Sequence, residues 1–211
     1  MALHVIYGGA FDPVHEGHLA VARTARDTLA AVIALVPTGD PRHRDPARAT
    51  ASQRVAMLER AIATESGLVI DTRELVRSGA SYTVDTLSEL RAELGSDAPL
   101  AMIVGSDSFA SLPQWDRWQE LFELAHIVVA SRPQPETLPP ELERVVKPRR
   151  CDIAAALHQS PAGRVLPLPM PLHPQSSSAI RTRCAQGESL EGWVPASVAA
   201  YIQAEGLYRQ Y

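Results

Sequence analysis

Apolar positions along the chain fall into short runs that alternate with segments of helical period. The runs at residues 3–7, 31–36, 68–70, 100–104 and 127–130 are apolar at successive positions rather than at every other one. That is the mark of strands buried on both faces. Between them, residues 19–29, 52–64, 83–94 and 117–124 carry apolar side chains at three- and four-residue spacing, which predicts amphipathic helices. Strand and helix alternating in this way specify an α/β fold, a doubly wound parallel sheet with helices on both faces, or a three-layer sandwich. A sixth strand at 165–168 and helices at 178–185 and 195–205 complete the set. Residues 1–211 read as a single domain, with the helices from about residue 178 onward as a small helical extension.

Three stretches interrupt the alternation. Residues 37–50 hold three prolines among charged residues and must form a surface loop, one placed to touch a substrate. Residues 133–148 and 161–174 hold five prolines each and read as connectors. No internal repeat or low-complexity tail is present.

Composition narrows the chemistry. A chain of 211 residues, 45% hydrophobic, can bury one good core. Its net charge of -4 and pI near 6.0 provide no global basic field, which argues against a nucleic-acid partner held by phosphate contacts and for a small-molecule one. Cys151 and Cys184 form no C-x-x-C pair, as expected of a protein in a reducing cytoplasm. The longest apolar run, residues 29–36, falls well short of the roughly 20 residues that span a bilayer, so a soluble protein is expected. Of the twenty basic residues nineteen are Arg, and the single lysine, Lys147, lies far from any Gly-rich turn. A P-loop is thereby excluded and a Schiff-base lysine is not expected, so phosphates must be held by Arg, His and backbone N–H groups.

The stretch with the most chemistry is residues 8–18, G-G-A-F-D-P-V-H-E-G-H, at the junction of the first strand and first helix. Gly8 and Gly9 permit close approach of an anion to the backbone, and the helix start offers unpaired N–H groups and the positive dipole end. His15 and His18, three apart, can face one point. Such a pair could also ligate zinc, but zinc asks for a third or fourth ligand, and Asp12 and Glu16 stand at no recognised spacing. Two surface histidines without a role are the default for the pair taken alone.

Read together with four later motifs, this stretch resembles the signature of the H-x-G-H nucleotidyltransferase superfamily. Within it the chain is similar to the bacterial nicotinate-nucleotide adenylyltransferases over nearly its whole length. Residues 37–44, P-T-G-D-P-R-H-R, are similar to that family's P-x-x-x-P-P-H-[KR] loop, with Arg42 replacing the second proline. Residues 81–86, S-Y-T-V-D-T, match S-Y-T-x-[DE]-T at a helix start, where Ser81 or Thr83 could also serve as the cap. Residues 105–118, G-S-D-S-F-A-S-L-P-Q-W-D-R-W, carry the G-x-D aspartate and a tryptophan suited to stacking on a pyridine ring, while Trp118 reads as core. Residues 176–181, S-S-S-A-I-R, are similar to I-S-[SA]-T-x-[IL]-R, with Gln175 in place of Ile or Val and Ser178 in place of Thr.

The resemblance implies a Rossmann-like fold and transfer of AMP from ATP to nicotinate mononucleotide, yielding deamido-NAD and pyrophosphate with Mg2+ brought in by the nucleotide, near Asp107. It implies ATP contacts from Gly8, Gly9, Phe11, His15, His18, Gly105, Asp107, Arg132, Ser176, Ser177, Ser178 and Arg181. His15, His18 and Arg181 would carry the catalysis. Contacts to the acceptor are implied for His43, Arg44, Tyr82, Thr83, Thr86 and Trp115. Phosphopantetheine adenylyltransferases share H-x-G-H but are shorter and lack the S-Y-T-x-D-T and G-x-D-x₇-W combination. Two alternatives stay open at this stage: nicotinamide mononucleotide or another phosphorylated acceptor, and a nucleotide-sensing module without turnover. Oligomeric state is not legible.

Overall fold

The computed structural model describes residues 2–39, 47–131, 137–171 and 173–209. Six parallel strands form its sheet: β1 His4–Gly9, β2 Ile33–Pro37, β3 Leu68–Ile70, β4 Leu100–Gly105, β5 His126–Ser131 and β6 Val165–Pro169. Their spatial order is β3-β2-β1-β4-β5-β6. The chain therefore winds outward from β1 in one direction and from β4 in the other, and the carboxyl ends of β1 and β4 flank the point where the winding reverses. Crevices open at such a point because the connections leave it on opposite faces of the sheet.

Every described strand expected from the apolar runs is present, and period-2 alternation explains why the runs are continuous. In β4, Leu100, Met102 and Val104 bury in one core while Ala101 and Ile103 bury in the other. In β5, Ile127 and Val129 face one way and Val128 and Ala130 the other. The first core is closed by α1 Glu16–Leu29, through Leu19, Ala22 and Leu29, and by α2 Ala51–Ile62, through Met57 and Leu58. A short helix, α3 Arg73–Val76, precedes α4 Thr83–Leu94, whose Val84, Leu87 and Leu90 close the second core. That core also takes Phe109 of α5 Ser106–Ala110, Phe122 of α6 Leu121–Leu124, and Leu142 and Val146 of α7 Pro140–Val146. The last two helices, α8 Ser177–Ala185 and α9 Ala196–Ala204, return to the first core, burying Ile180, Val198 and Ile202 beside the sheet.

Two local expectations are corrected. The single helix expected over 117–124 is a 3-10 turn, Trp118–Glu120, followed by the one-turn α6, because Arg117 takes a left-handed φ of 45° that cannot continue a helix. Arg117 is held in that position by ion pairs to Asp85, Asp116 and Glu120. The segment 133–148, read as a connector, contains α7, in which Pro140 occupies the first helical position, where its missing N–H costs nothing. Among the described residues no helix is long and apolar enough to cross a membrane, and Cys151 and Cys184 are both free thiols.

Candidate active site

The turn after β1 places the histidine pair. His15 is the N-cap of α1, with extended backbone, and its Nδ1 accepts a hydrogen bond from His18 N at 3.3 Å. An acceptor Nδ1 puts the proton of the neutral ring on Nε2. The rings of His15 and His18 stack at 3.6 Å with 26° between their planes. Phe11 and Tyr7 back the His18 ring edge-on, at 5.0 and 6.2 Å. Two glycines make this approach possible. A Cβ on Gly9 would press on the Phe11 ring at 3.1–3.3 Å, and one on Gly17 would stand 3.0 Å from His15 Nδ1.

Electrostatics keeps both rings neutral near pH 7. Burial, with a smaller contribution from His173, lowers the His15 pKa from 6.5 to about 4. Desolvation of its half-buried ring pushes His18 well below its ordinary value, with a smaller push from its neighbour His15. Its Nδ1 is buried with no hydrogen-bond partner among the described residues, as is Arg181 Nε. Buried polar groups of this kind are costly unless something else supplies the missing bond.

A compartment of about 220 Å³ lies against this pair. Its walls are His15, Gly17 and His18 on one side, Gly105, Ser106, Asp107 and Ser108 at the end of β4, Ala130 and Ser131 at the end of β5, and His173 and Gln175. Asp107 stands exposed in the first turn of α5 and is the one carboxylate in that wall among the described residues. Ser176 caps α8, accepting from Ala179 N at 3.2 Å. Ser177 and Arg181 reach back to the histidine turn: Ser177 Oγ donates to Pro13 O at 3.0 Å and Arg181 Nη1 to Asp12 O at 2.8 Å. Ser178 Oγ lies 3.3 Å from Ser176 Oγ. The described wall thus stops at Gln175, and the serine motif and Arg181 sit immediately behind it, docked on the turn.

A second, larger compartment of about 540 Å³ opens on the other side of Gly105 and Ser108, which line both. This volume is typical of a small-molecule site. Gly8 and Gly9 of β1, Thr38 after β2, Tyr82 and Thr83 at the start of α4, and Trp115 line it. Thr86 does not. It is buried, its hydroxyl donating to Glu74 Oε1 at 2.8 Å and accepting from Arg77 Nη1 at 3.1 Å, so it supports the wall from behind. Neither Ser81 nor Thr83 caps α4: Tyr82 stands at the N-cap position and its side chain does not bond the helix's first N–H groups, and Ser81 Oγ accepts from Arg77 Nη1 at 2.7 Å. Trp118 packs edge-on against Phe122 in the core. His43, Arg44 and Arg132 lie outside the described residues.

Several wall residues carry no sequence signal of their own. Tyr7, Glu74 and His173 are common residue types outside every motif, and Thr38 and Ser108 lie inside motifs at positions with no assigned role. Gly39 has a steric reason: a Cβ there would collide with the backbone carbonyl of Glu74. Arg54 is buried in α2 and joins the two loops flanking the cleft, donating to Ala10 O and Thr38 O, each at 2.8 Å.

A model of the cytidylyltransferase-like family matches residues 6–183. A protein of Stenotrophomonas maltophilia named probable nicotinate-nucleotide adenylyltransferase is 49% identical over 99% of this chain and 98% of its own length. One of the same name from Marinobacter nauticus is 47% identical over 98% of this chain and 96% of its own. The solved structure of Plasmodium falciparum nicotinic acid mononucleotide adenylyltransferase complexed with NaAD has the same fold, with a TM-score of 0.75 at 17% identity over 100% of this chain and 99% of that one.

Proposed function

The chain belongs to the cytidylyltransferase-like family and, within it, to the nicotinate-nucleotide adenylyltransferases, and from that premise we propose that its cleft joins ATP to nicotinate mononucleotide. The observation that carries this reading is the pair of compartments sharing Gly105 and Ser108, with stacked histidines in the smaller one. Two phosphorylated ligands can enter from opposite sides of the β1–β4 break and meet over its glycines.

In the transfer, a 5'-phosphate oxygen of the acceptor bonds to the α-phosphorus of ATP while the bond to the β-phosphate oxygen breaks and pyrophosphate leaves. The nucleophile is already an anion, so no side chain need accept a proton from it. The chain's task is alignment and neutralisation of charge. His15 and His18 are neutral beforehand, and a polyphosphate placed against them raises their affinity for protons. Positive charge then accumulates where the transition state needs it. Arg181 and Ser177, docked on the same turn behind the wall of the smaller compartment, are assigned to the leaving group. They would reach it by exchanging their bonds to the Asp12 and Pro13 carbonyls for phosphate oxygens. The loop with His43 and Arg44 is assigned to the acceptor's phosphate.

The flat face of Trp115 and the Tyr82–Thr83 start of α4 receive the pyridine ring, with the N-terminal N–H groups of α4 suited to a carboxylate. The family uses ATP, and its nucleotidyltransferases generally use a divalent metal. Among the described residues no three His, Cys, Asp or Glu side chains converge as a metal cage. Asp107 in the wall of the smaller compartment fits a Mg2+ carried on the nucleotide phosphates, which would supply further charge neutralisation there.

The test is incubation with ATP and MgCl₂ plus either nicotinate or nicotinamide mononucleotide, reading product mass and pyrophosphate. Deamido-NAD and pyrophosphate in equal amounts are expected. ATP hydrolysis or nucleotide binding without any dinucleotide would overturn the reading.

A further inference from the structure

Asp12 lies under the histidine turn and is almost fully buried. Its Oδ2 accepts from Arg48 N at 2.7 Å and its Oδ1 from Ala49 N at 3.0 Å, which ties the turn to the residues leading into α2. The third bond to this carboxylate comes from a residue 196 positions away: Tyr208 Oη donates to Asp12 Oδ1 at 2.7 Å. The peptide carbonyl of Asp12 meanwhile takes Arg181 Nη1. Next along the chain are Pro13, Val14, which is wholly buried, and then His15. The Asp12 carboxylate is thus one anchor of the backbone that aims the histidine pair, and it works beside the bonds of Arg54 to Ala10 O, Ser177 to Pro13 O and Arg181 to Asp12 O.

The segment after α9 is shaped to deliver that hydroxyl. Gly206, with φ of 62°, donates to Gln203 O at 3.3 Å, and Leu207 N reaches Ile202 O at 3.0 Å, the paired bonds of a Schellman ending. Tyr208 follows, itself at a left-handed φ of 63°. A non-glycine residue holds that conformation only where its surroundings over-determine it. The Tyr208 side chain is buried, and burial together with Asp12 raises its pKa, so the phenol stays a donor.

We propose that Tyr208 is a positioning residue for the transfer reaction, holding Asp12 and through it the turn that orients His15 and His18. Tyr208 touches no wall residue of the smaller compartment by any described hydrogen bond, so its action is indirect. The proposal rests on the function proposed above. Geometric errors of about 1 Å at reacting groups can cost about 100-fold in rate, so loss of one of the three bonds to the Asp12 carboxylate is expected to cost about tenfold.

The experiment compares Tyr208→Phe with wild type and with Ile202→Val, a buried change in α9 that leaves both hydroxyl and carboxylate in place. In Tyr208→Phe, kcat falls about tenfold, KM for both substrates stays within about twofold, and the ring resonances of His15 and His18 shift in NMR spectra of the chain alone. Ile202→Val loses a similar few degrees of thermal midpoint and keeps its kcat. Asp12→Asn, which turns one acceptor into a donor facing Arg48 N or Ala49 N, loses at least as much kcat as Tyr208→Phe. An unchanged kcat in Tyr208→Phe, whatever Asp12→Asn does, or an equal kcat loss in Ile202→Val, would overturn the proposal. If wild type forms no dinucleotide, the reading of function fails. The histidine resonances then decide this proposal on their own: resonances unmoved by Tyr208→Phe refute it.

Discussion

Replacing His15 by Asn offers a quantitative check on the environment of the histidine pair. The folded-state pKa of His15 is about 4 against an ordinary 6.5. The unfolded chain therefore binds this proton more tightly than the folded one, and stability is full above 6.5 and drains away as the pH falls toward 4. Between pH 7 and pH 5 the difference amounts to about 2 kcal/mol from His15 alone, a sizeable fraction of a typical domain's stability. Asn is a good N-cap, so His15→Asn keeps the acceptor for His18 N and removes only the titrating ring. Urea unfolding followed by far-UV circular dichroism at pH 7, 6 and 5 and constant ionic strength gives the slopes. Wild type should lose at least about 2 kcal/mol over this range, because half-buried His18 and buried His126, whose pKa values are also lowered, drain stability in the same direction. The loss in His15→Asn should be smaller by about 2 kcal/mol. Identical losses in the two proteins would refute the buried, neutral His15 on which the charge argument depends.

Arg54→Met should leave the carbonyls of Ala10 and Thr38 without their donor. At about 1 kcal/mol for each of these two half-buried hydrogen bonds, the thermal midpoint should fall by about 5 °C, as scanning calorimetry would read directly. Trp115→Ala should raise KM for the mononucleotide acceptor about tenfold, the worth of one aromatic stacking contact, and leave KM for ATP within about twofold. Equal effects on both constants in steady-state kinetics would contradict the assignment of the larger compartment to the acceptor.

The strands were legible because both of their faces are apolar, and the long helices because their stripes repeat. Elements of four or five residues, α3 and α5, contain too little of a 3.6-residue period to register. Helix α7 was hidden by prolines that turn out to lie at and before its first position, and the break at Arg117 rests on a backbone conformation that no spacing reveals. His15, His18, Gly105 and Asp107 line the smaller compartment because each lies at or just after a strand end, whereas Tyr82, Thr83 and Trp115 line the larger one from the start of α4 and the loop after α5. Thr86 belongs to the same motif as Tyr82 but points the other way, toward Glu74 and Arg77, since three residues of helix separate it from the cap. The bonds that hold the turn in place were the least legible. Asp12 meets Arg48, Ala49 and Tyr208 across 36 to 196 residues, and Arg54 meets Ala10 across 44. Such meetings are decided by the strand order, and a local pattern of residue types carries no trace of them.

The central claim is that the stacked histidines act on the transferring phosphate where the two compartments join. Its most direct test is the turnover of His18→Ala at saturating ATP, MgCl₂ and nicotinate mononucleotide, on protein that still unfolds in one cooperative transition. Losing a preorganised donor at the developing charge is expected to cut kcat about 10²- to 10³-fold. A folded His18→Ala chain that forms deamido-NAD at close to the wild-type rate would contradict the account.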